Sequence, residues 1–532
     1  MQTASQATFT MGENRMKYSL MISAALLLAI GHTQTASAQT NPTDLIKLGV
    51  EAQGGADALR AIKTLVQKGD AKHWEPGQSN SVNGESRFLG DSTVTISVDY
   101  NDPVRVRYDW DRNMQYPAVE KLKYSEIRYP TYGAVVDDKG AVTPMSGIRL
   151  ASNIREGGRG NARLLLNALN SPQNVSAIED QKLGTQTLPA AVYTQGPTKY
   201  IIIFDRTTKL PVAVRTRDED NIWGDANYDL LLGNWKTVNG VKIAFDRSYK
   251  LNDMEVQRIN YKEITANTAI PASTFAIPDA VKTAAKPAAT SNVPYQWVAR
   301  RLFLGRFTDS DKIYFPDSGS FKLVELGPNV QMVQGGGANN LIVNLKDGLA
   351  VVDAPTDEGQ SRWVIDAAKA KYPGKPIKYL VLTHHHMDHT GGMRAFAAEG
   401  ATVIVPAQDK AYFEQVIKAP HTLEPDAQQK AMKPATVQGV ADTSTIKDDN
   451  GDINLYNIAN PHVDGFLLGH VVKDNILWVT DLISPRGSIS RDPGTVAVGE
   501  ALRKHNITGA TIAGGHGATA KQADIAATLA AN

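Results

Sequence analysis

The chain has 532 residues, 42% of them hydrophobic and 21% charged, with a net charge of +1. That length exceeds what one hydrophobic core normally organises, and the composition excludes both a disordered chain and a polytopic membrane protein. The near balance of acidic and basic side chains gives no electrostatic footing for nucleic acid or an anionic membrane surface as partner.

The first feature in chain order is a targeting signal. Arg15 and Lys17 precede an apolar run over 20–30, and Ala36-Ser37-Ala38 follows it, which is the pattern of a secretory signal with a small-residue cleavage site. Residues 1–38 therefore read as a signal peptide, with a periplasmic or secreted mature protein and no integral membrane segment after cleavage. The sequence contains no cysteine, so no thiol serves for lipid attachment, disulfide formation or metal ligation.

Residues 41–278 read as an antiparallel β domain. It opens with helical periodicity over 45–65, after which 92–100, 104–110, 200–204 and 241–249 are short strand-like runs separated by turn signals. Its marked segments are Gly54-Gly55-Ala56-Asp57-Ala58-Leu59-Arg60-Ala61-Ile62-Lys63, Asp205-Arg206-Thr207-Thr208-Lys209-Leu210-Pro211, Val238-Asn239-Gly240-Val241, Asn267-Thr268-Ala269-Ile270-Pro271 and Phe275-Ala276-Ile277-Pro278. In these the region resembles the periplasmic lipoprotein-carrier-like domains. The resemblance implies an antiparallel β half-barrel wrapped on a helix, which either encloses a hydrophobic ligand or acts as a structural partner. Trp223, Trp235 and Tyr228 are candidates for a cavity wall or for plain core. Residues 279–298, rich in Ala, Pro, Lys and Thr over 280–293 and without periodicity, read as an interdomain linker.

Residues 299–532 form the second predicted domain. Strands over 341–345 and 349–352 meet at Lys346-Asp347-Gly348, an amphipathic helix spans 360–371, and 377–382 is an apolar strand. Nine of the eleven histidines follow position 383, four of them in Thr383-His384-His385-His386-Met387-Asp388-His389-Thr390-Gly391-Gly392. Alternate residues leaving a strand share a face, so His384 and His386 turn inward together while Asp388 and His389 begin the next helix. Neutral imidazole and carboxylate suit a borderline ion such as Zn2+. The spacing offers two histidines to one ion and Asp388 with His389 to another, whereas the bland alternative is a solvated His-rich turn.

At this motif the sequence resembles the metallo-β-lactamase superfamily. The resemblance implies an α+β fold with an αββα sandwich and three further ligands. These are His462 in His462-Val463-Asp464-Gly465, Asp481 after 476–480 as a carboxylate bridging both metals, and His516 in Gly514-Gly515-His516-Gly517. It also implies that Asp353, after Val351-Val352, orients a ligand histidine from behind. His385 carries no ligand role and reads as loop wall or solvent-facing. His73, His421, His470 and His505 read as packing or surface residues, and Asp464 as a turn residue or a substrate contact.

The implied function is hydrolysis by two divalent metal ions, Zn2+ in this reading, which share a bridging hydroxide, with Asp388 both ligating and accepting the released proton. The lack of cysteine excludes lactamases that use a cysteine ligand, and Asp481 points toward the glyoxalase II, lactonase and phosphodiesterase branches. Export disfavours a glutathione thioester and the RNA-processing branch, leaving an ester, lactone, amide or carbamate of a small organic substrate. Two alternatives stay open: a mononuclear iron oxygenase of the persulfide-dioxygenase type, and a metal-binding lipid- or ligand-binding protein. Pocket walls are expected from 299–325 and 407–449, and oligomeric state is left open.

Overall fold

The computed structural model describes residues 41–288 and 321–531, all within one compact unit. The expected signal peptide, the second half of the linker and most of the 299–325 lead-in lie outside the described residues. No helix among the described residues is long and apolar enough to cross a membrane.

Helix formation at the start is set by Asn41, whose side chain accepts a hydrogen bond from Thr43 N at 3.0 Å just ahead of Pro42–Gln53. Leu45, Ile46, Gly49 and Val50 form its buried stripe. The helix stops at Gly54, which has φ +124° and lies so close to Gly240 that a Cβ would stand 2.2 Å from its carbonyl oxygen. The helical opening expected over 45–65 is thus divided. A second short helix covers Ala56–Ala61, and the chain is already a strand at Thr64.

That strand, Thr64–Glu75, sits inside a thirteen-stranded antiparallel sheet. It pairs with Arg87–Asp99 on one side and with the sheet's last strand in sequence, Met254–Ala266, on the other. The remaining expected strands appear as Arg105–Met114, Thr198–Phe204 and Val241–Leu251. Helices Pro42–Gln53, Gly147–Arg159 and Leu164–Leu169 send Leu45, Ile46, Leu150 and Leu165 into a core shared with Val94, Val106, Trp110, Ile202 and Phe245 of the strands. One face of the sheet therefore holds the helices. Tyr228 is fully buried in a separate cluster, Trp235 lines a small cavity, and Trp223 packs against the C-terminal core. Within the segment read as linker, Asp279–Ala284 is a short helix.

The C-terminal region has two sheets. One has seven strands, running from Lys322–Gly327 at one edge to Val437–Val440 at the other, and the second has six, from Thr443–Ile446 to Thr519–Lys521. Period-two alternation gives the inner strands two buried faces. In Gly348–Val352, Leu349 and Val351 meet the helices while Ala350 and Val352 meet the opposite sheet. Glu358–Lys371, Met393–Glu399 and Lys410–Lys418 cover the outside of the first sheet, and Pro493–Lys504 with Gln522–Ala530 the outside of the second. The layers are α/β/β/α. Residues 407–449, expected as pocket loops, consist largely of helices Lys410–Lys418 and Ala427–Ala431 and strands Val437–Val440 and Thr443–Ile446.

Two hairpin tips of the N-terminal sheet reach into this sandwich. The tip between Pro211–Asp220 and Gly224–Val238 inserts Ile222 into the cluster of Val364 and Phe396. Asn221 Nδ2 donates to Thr356 O, and Asp225 N donates to Pro420 O at 2.7 Å. Glu219 and His421 Nδ1 meet at 2.6 Å. Burial, then Asp220, Glu424 and Asp426, push the Glu219 carboxyl up to about 9, while burial, then Arg394, push His421 below its ordinary value. Glu219 therefore keeps its proton and donates it to a neutral ring. The other tip covers the candidate metal centre.

Candidate metal centre

The strand Ile377–Val381 delivers the His-rich segment to one end of the sandwich, and Met387–Thr390 forms a single helical turn there. Asp353 follows strand Gly348–Val352 with φ +64°, a backbone conformation that is costly for a residue with a side chain. Its Oδ1 accepts from Thr383 N at 2.9 Å and Thr383 Oγ1 at 2.8 Å, and its Oδ2 accepts from Trp478 Nε1 at 3.0 Å. His389 Nδ1 lies 3.3 Å from the same Oδ2, which aims Nε2 of that ring into the site.

The structure brings all seven expected ligands together. His384, His386, His462 and Asp481 offer ligand atoms within 4.8 Å of one another, and Asp388, His389, Asp481 and His516 do the same. Asp481 belongs to both groups. Its Oδ2 is 3.3 Å from His462 Nε2 and 3.7 Å from His384 Nε2, while its Oδ1 is 2.9 Å from His389 Nε2 and 3.3 Å from His516 Nε2. It sits in the turn Thr480–Leu482 rather than at the end of strand Ile476–Trp478, and Thr480 there has φ +37°.

The donor set fits divalent ions. Nε2 of His384, Nε2 of His389 and Oδ1 of Asp481 are buried and make no aligned hydrogen bond among the described residues. Lone pairs converging without donors is an arrangement that cations satisfy. Burial, then His386 and His389, hold His384 well below its ordinary range, and burial, then His462, does the same to His386. Both rings are neutral and able to ligate. Burial alone would also depress His389 and His516, but Asp481 and its neighbour Asp388 outweigh it, raising His389 well above its ordinary value and His516 to about 9. Burial works against ionising Asp388 and Asp481, yet the same two histidines hold both carboxyls far below the usual range. The second group thus stabilises positive charge wherever it is placed.

Residues 333–511 match the model of the Metallo-beta-lactamase superfamily. The C-terminal region is a metallo-beta-lactamase superfamily domain. A linear primary-alkylsulfatase of Pseudomonas sp. (strain ATCC 19151) is 41% identical over 58 residues, a match that spans 11% of this chain and only 11% of that relative's length. Among solved structures, a metallo-beta-lactamase from Pontibacter korlensis is similar at 17% identity, with 39% of this chain and 97% of that one covered and a TM-score of 0.30. The stereoselective inverting sec-alkylsulfatase Pisa1 from Pseudomonas sp. is similar at 18% identity, with 40% of each chain covered and a TM-score of 0.30.

One wall of the metallo-beta-lactamase domain's site comes from outside that domain. The hairpin tip after Thr64–Glu75 turns through Pro76–Gln78, where Gln78 Nε2 donates to Asp388 Oδ1 at 2.6 Å. Gln78 is itself fixed, its Oε1 by Tyr116 OH at 2.7 Å and its carbonyl by Arg87 Nε at 2.5 Å. His386 Nε2 donates to Ser79 O at 3.0 Å, which leaves Nδ1, 3.0 Å from His462 Nε2, facing the site. His385 Nε2 also reaches Ser79 O at 3.0 Å, and the residue is 3% exposed, so His385 is wall rather than solvent-facing. Arg87 Nη2 adds a bond to His462 O at 3.1 Å. Gln78, Ser79, Arg87 and Tyr116 carry no motif, and 310 residues separate Gln78 from Asp388. Asp464 is exposed and its N–H donates to Asn80 O at 3.0 Å, a turn contact. His73, 0% exposed, meets Ser92 Oγ at 2.7 Å, and His505 stacks on Tyr456 at 4.0 Å, so both are packing residues away from the ligands.

Proposed function

We propose that the protein is an exported, metal-dependent hydrolase that cleaves an ester, lactone, amide or carbamate bond of a small organic substrate in the periplasm. The observation that carries this reading is the pair of ligand groups joined through Asp481. His384, His386 and His462 would hold one zinc ion and Asp388, His389 and His516 the other, with Asp481 between them. When bound, such a pair supplies Lewis acidity and a water acidic enough to act as nucleophile near neutral pH. Asp388 accepts the proton released on attack, and Gln78 holds its Oδ1 in place. Asp353 keeps His389 in one orientation. The reading includes a signal peptide over 1–38, a β domain over 41–278, a linker over 279–298 and a hydrolase domain over 299–532.

The test is a hydrolysis panel of aryl esters, lactones, an amide, a carbamate, a cephalosporin, a phosphodiester and an alkyl sulfate, run before and after chelation. Chelator-sensitive cleavage of an ester, lactone, amide or carbamate, abolished by Asp388→Ala, supports the proposal. Turnover that survives both treatments contradicts it, and oxygen-dependent turnover on a single iron replaces it with the oxygenase reading. A second reading, sulfate-ester hydrolysis, rests on the local likeness to the alkylsulfatase, and the alkyl sulfate in the panel decides it.

A further inference from the structure

The N-terminal sheet encloses a second buried polar cluster that shares no residue with the metal centre. A cavity of about 50 Å³ lies between the strands and the helix Gly147–Arg159, and Arg128, Arg247, Tyr100, Tyr108 and Tyr261 are among its lining residues. Arg247 is 7% exposed. Nε of Arg128, Nε of Arg247 and the Tyr261 hydroxyl are buried and make no hydrogen bond among the described residues.

Several other arginines of this domain have carboxylate partners. Arg149 pairs with Glu126 at 2.8 Å, Arg215 with Asp229 at 2.7 Å, and Arg155 with Asp218. Glu156, the carboxylate on the cavity wall, is paired with Arg159 at 3.2 Å. Arg128 and Arg247 form no ion pair among the described residues, and both face the cavity. Glycine leaves the room for them: a Cβ at Gly157 would stand 3.0 Å from Arg128 Nη2, and one at Gly160 would stand 2.9 Å from Arg247 Nη1. A guanidinium has donors and no acceptor, so the two cannot satisfy each other. Burying charge without a partner is costly, and an anion between two guanidinium groups removes that cost through short charge-assisted bonds.

We propose that this cavity is an anion site, which takes an oxyanion group (carboxylate, sulfate or phosphate) between Arg128 and Arg247, with the Tyr108 and Tyr261 hydroxyls as further donors. The volume suits a head group rather than a long chain. The site stands independently of the proposed hydrolase activity.

The test is calorimetric titration of the full-length, metal-containing protein with inorganic sulfate, inorganic phosphate, acetate and hexyl sulfate at constant ionic strength. At least one of these is expected to bind saturably, one per chain. Tighter binding of hexyl sulfate than of sulfate identifies an organic anion, and equal binding identifies the free ion. Arg247→Gln should weaken binding by about tenfold or more while raising the melting temperature of the ligand-free protein, because it removes an unpaired buried charge. Gly160→Ala, which crowds Arg247 Nη1, should weaken binding as well and serves if the arginine variant fails to fold. His516→Ala, at the metal centre, should leave binding unchanged. No saturable binding of any of the four anions, or binding that His516→Ala abolishes and Arg247→Gln leaves intact, overturns the proposal.

Discussion

The two buried polar clusters of this molecule are opposite in kind. At the end of the α/β/β/α sandwich, imidazole and carboxylate groups converge, and buried nitrogen and oxygen atoms among them make no aligned hydrogen bond among the described residues. Inside the N-terminal sheet, guanidinium and phenol donors converge around a cavity instead. An uncompensated buried charge costs several kcal/mol even after relaxation, so each cluster indicates the sign of what completes it. Glu219 shows a third solution: crowded by Asp220, Glu424 and Asp426 in a buried setting, it keeps a proton. Where a proton suffices the fold uses one, and in the proposed reading the two larger clusters take an ion.

The largest expected effect is at the acceptor cluster. Asp388→Ala or His462→Ala should lower chelator-sensitive turnover by at least about 100-fold and reduce the bound metal measured by elemental analysis. Unchanged turnover with either variant would mean that the convergence of lone pairs is structural only. Next comes Gln78→Ala, which removes a contact from the N-terminal sheet to Asp388 without touching a ligand atom. It should cost about 10- to 100-fold in metal affinity or turnover, read by competition with a chromogenic chelator and by separate kcat and KM values. Wild-type values for both would reduce the hairpin tip to a neighbour of the site.

The smallest effect belongs to the protonated carboxyl. An unfolded glutamate titrates near 4.5 and folded Glu219 at about 9, so its contribution to stability is complete below the lower value. It is lost progressively as pH rises toward the upper one. Urea denaturation at pH 5 and pH 8.5 should show Glu219→Gln with a flatter profile than the wild type, gaining on the order of 1–2 kcal/mol at the higher pH. A wild type that gains stability relative to the variant over that interval would contradict a protonated Glu219.

The sandwich and the residues that converge at its candidate metal centre were legible because their signals are local. His384, His386, Asp388 and His389 sit in one segment, and His462, Asp481 and His516 each follow a strand in a short recognisable setting. Gln78 and Ser79 were not legible, since their role is created by a hairpin folding back across 310 residues. The division of the 45–65 helix turned on Gly54, whose close approach to Gly240 is a tertiary fact. The anion cavity left a trace that periodicity can find. In Ile243-x-Phe245-x-Arg247-x-Tyr249, a charged residue occupies the face that its neighbours commit to the core, and Arg247 is indeed buried. Placed at a core position, arginine needs a partner, and the local sequence does not say which.

The most direct test of the metal centre is elemental analysis of the purified, full-length protein, read as ions per chain before and after dialysis against a chelator. Near two zinc ions per chain, removed together with hydrolytic activity and reduced in the Asp481→Ala variant, is the result expected of two ligand groups sharing one carboxylate. A single iron ion, or metal content that Asp481→Ala leaves unchanged, would contradict the binuclear centre.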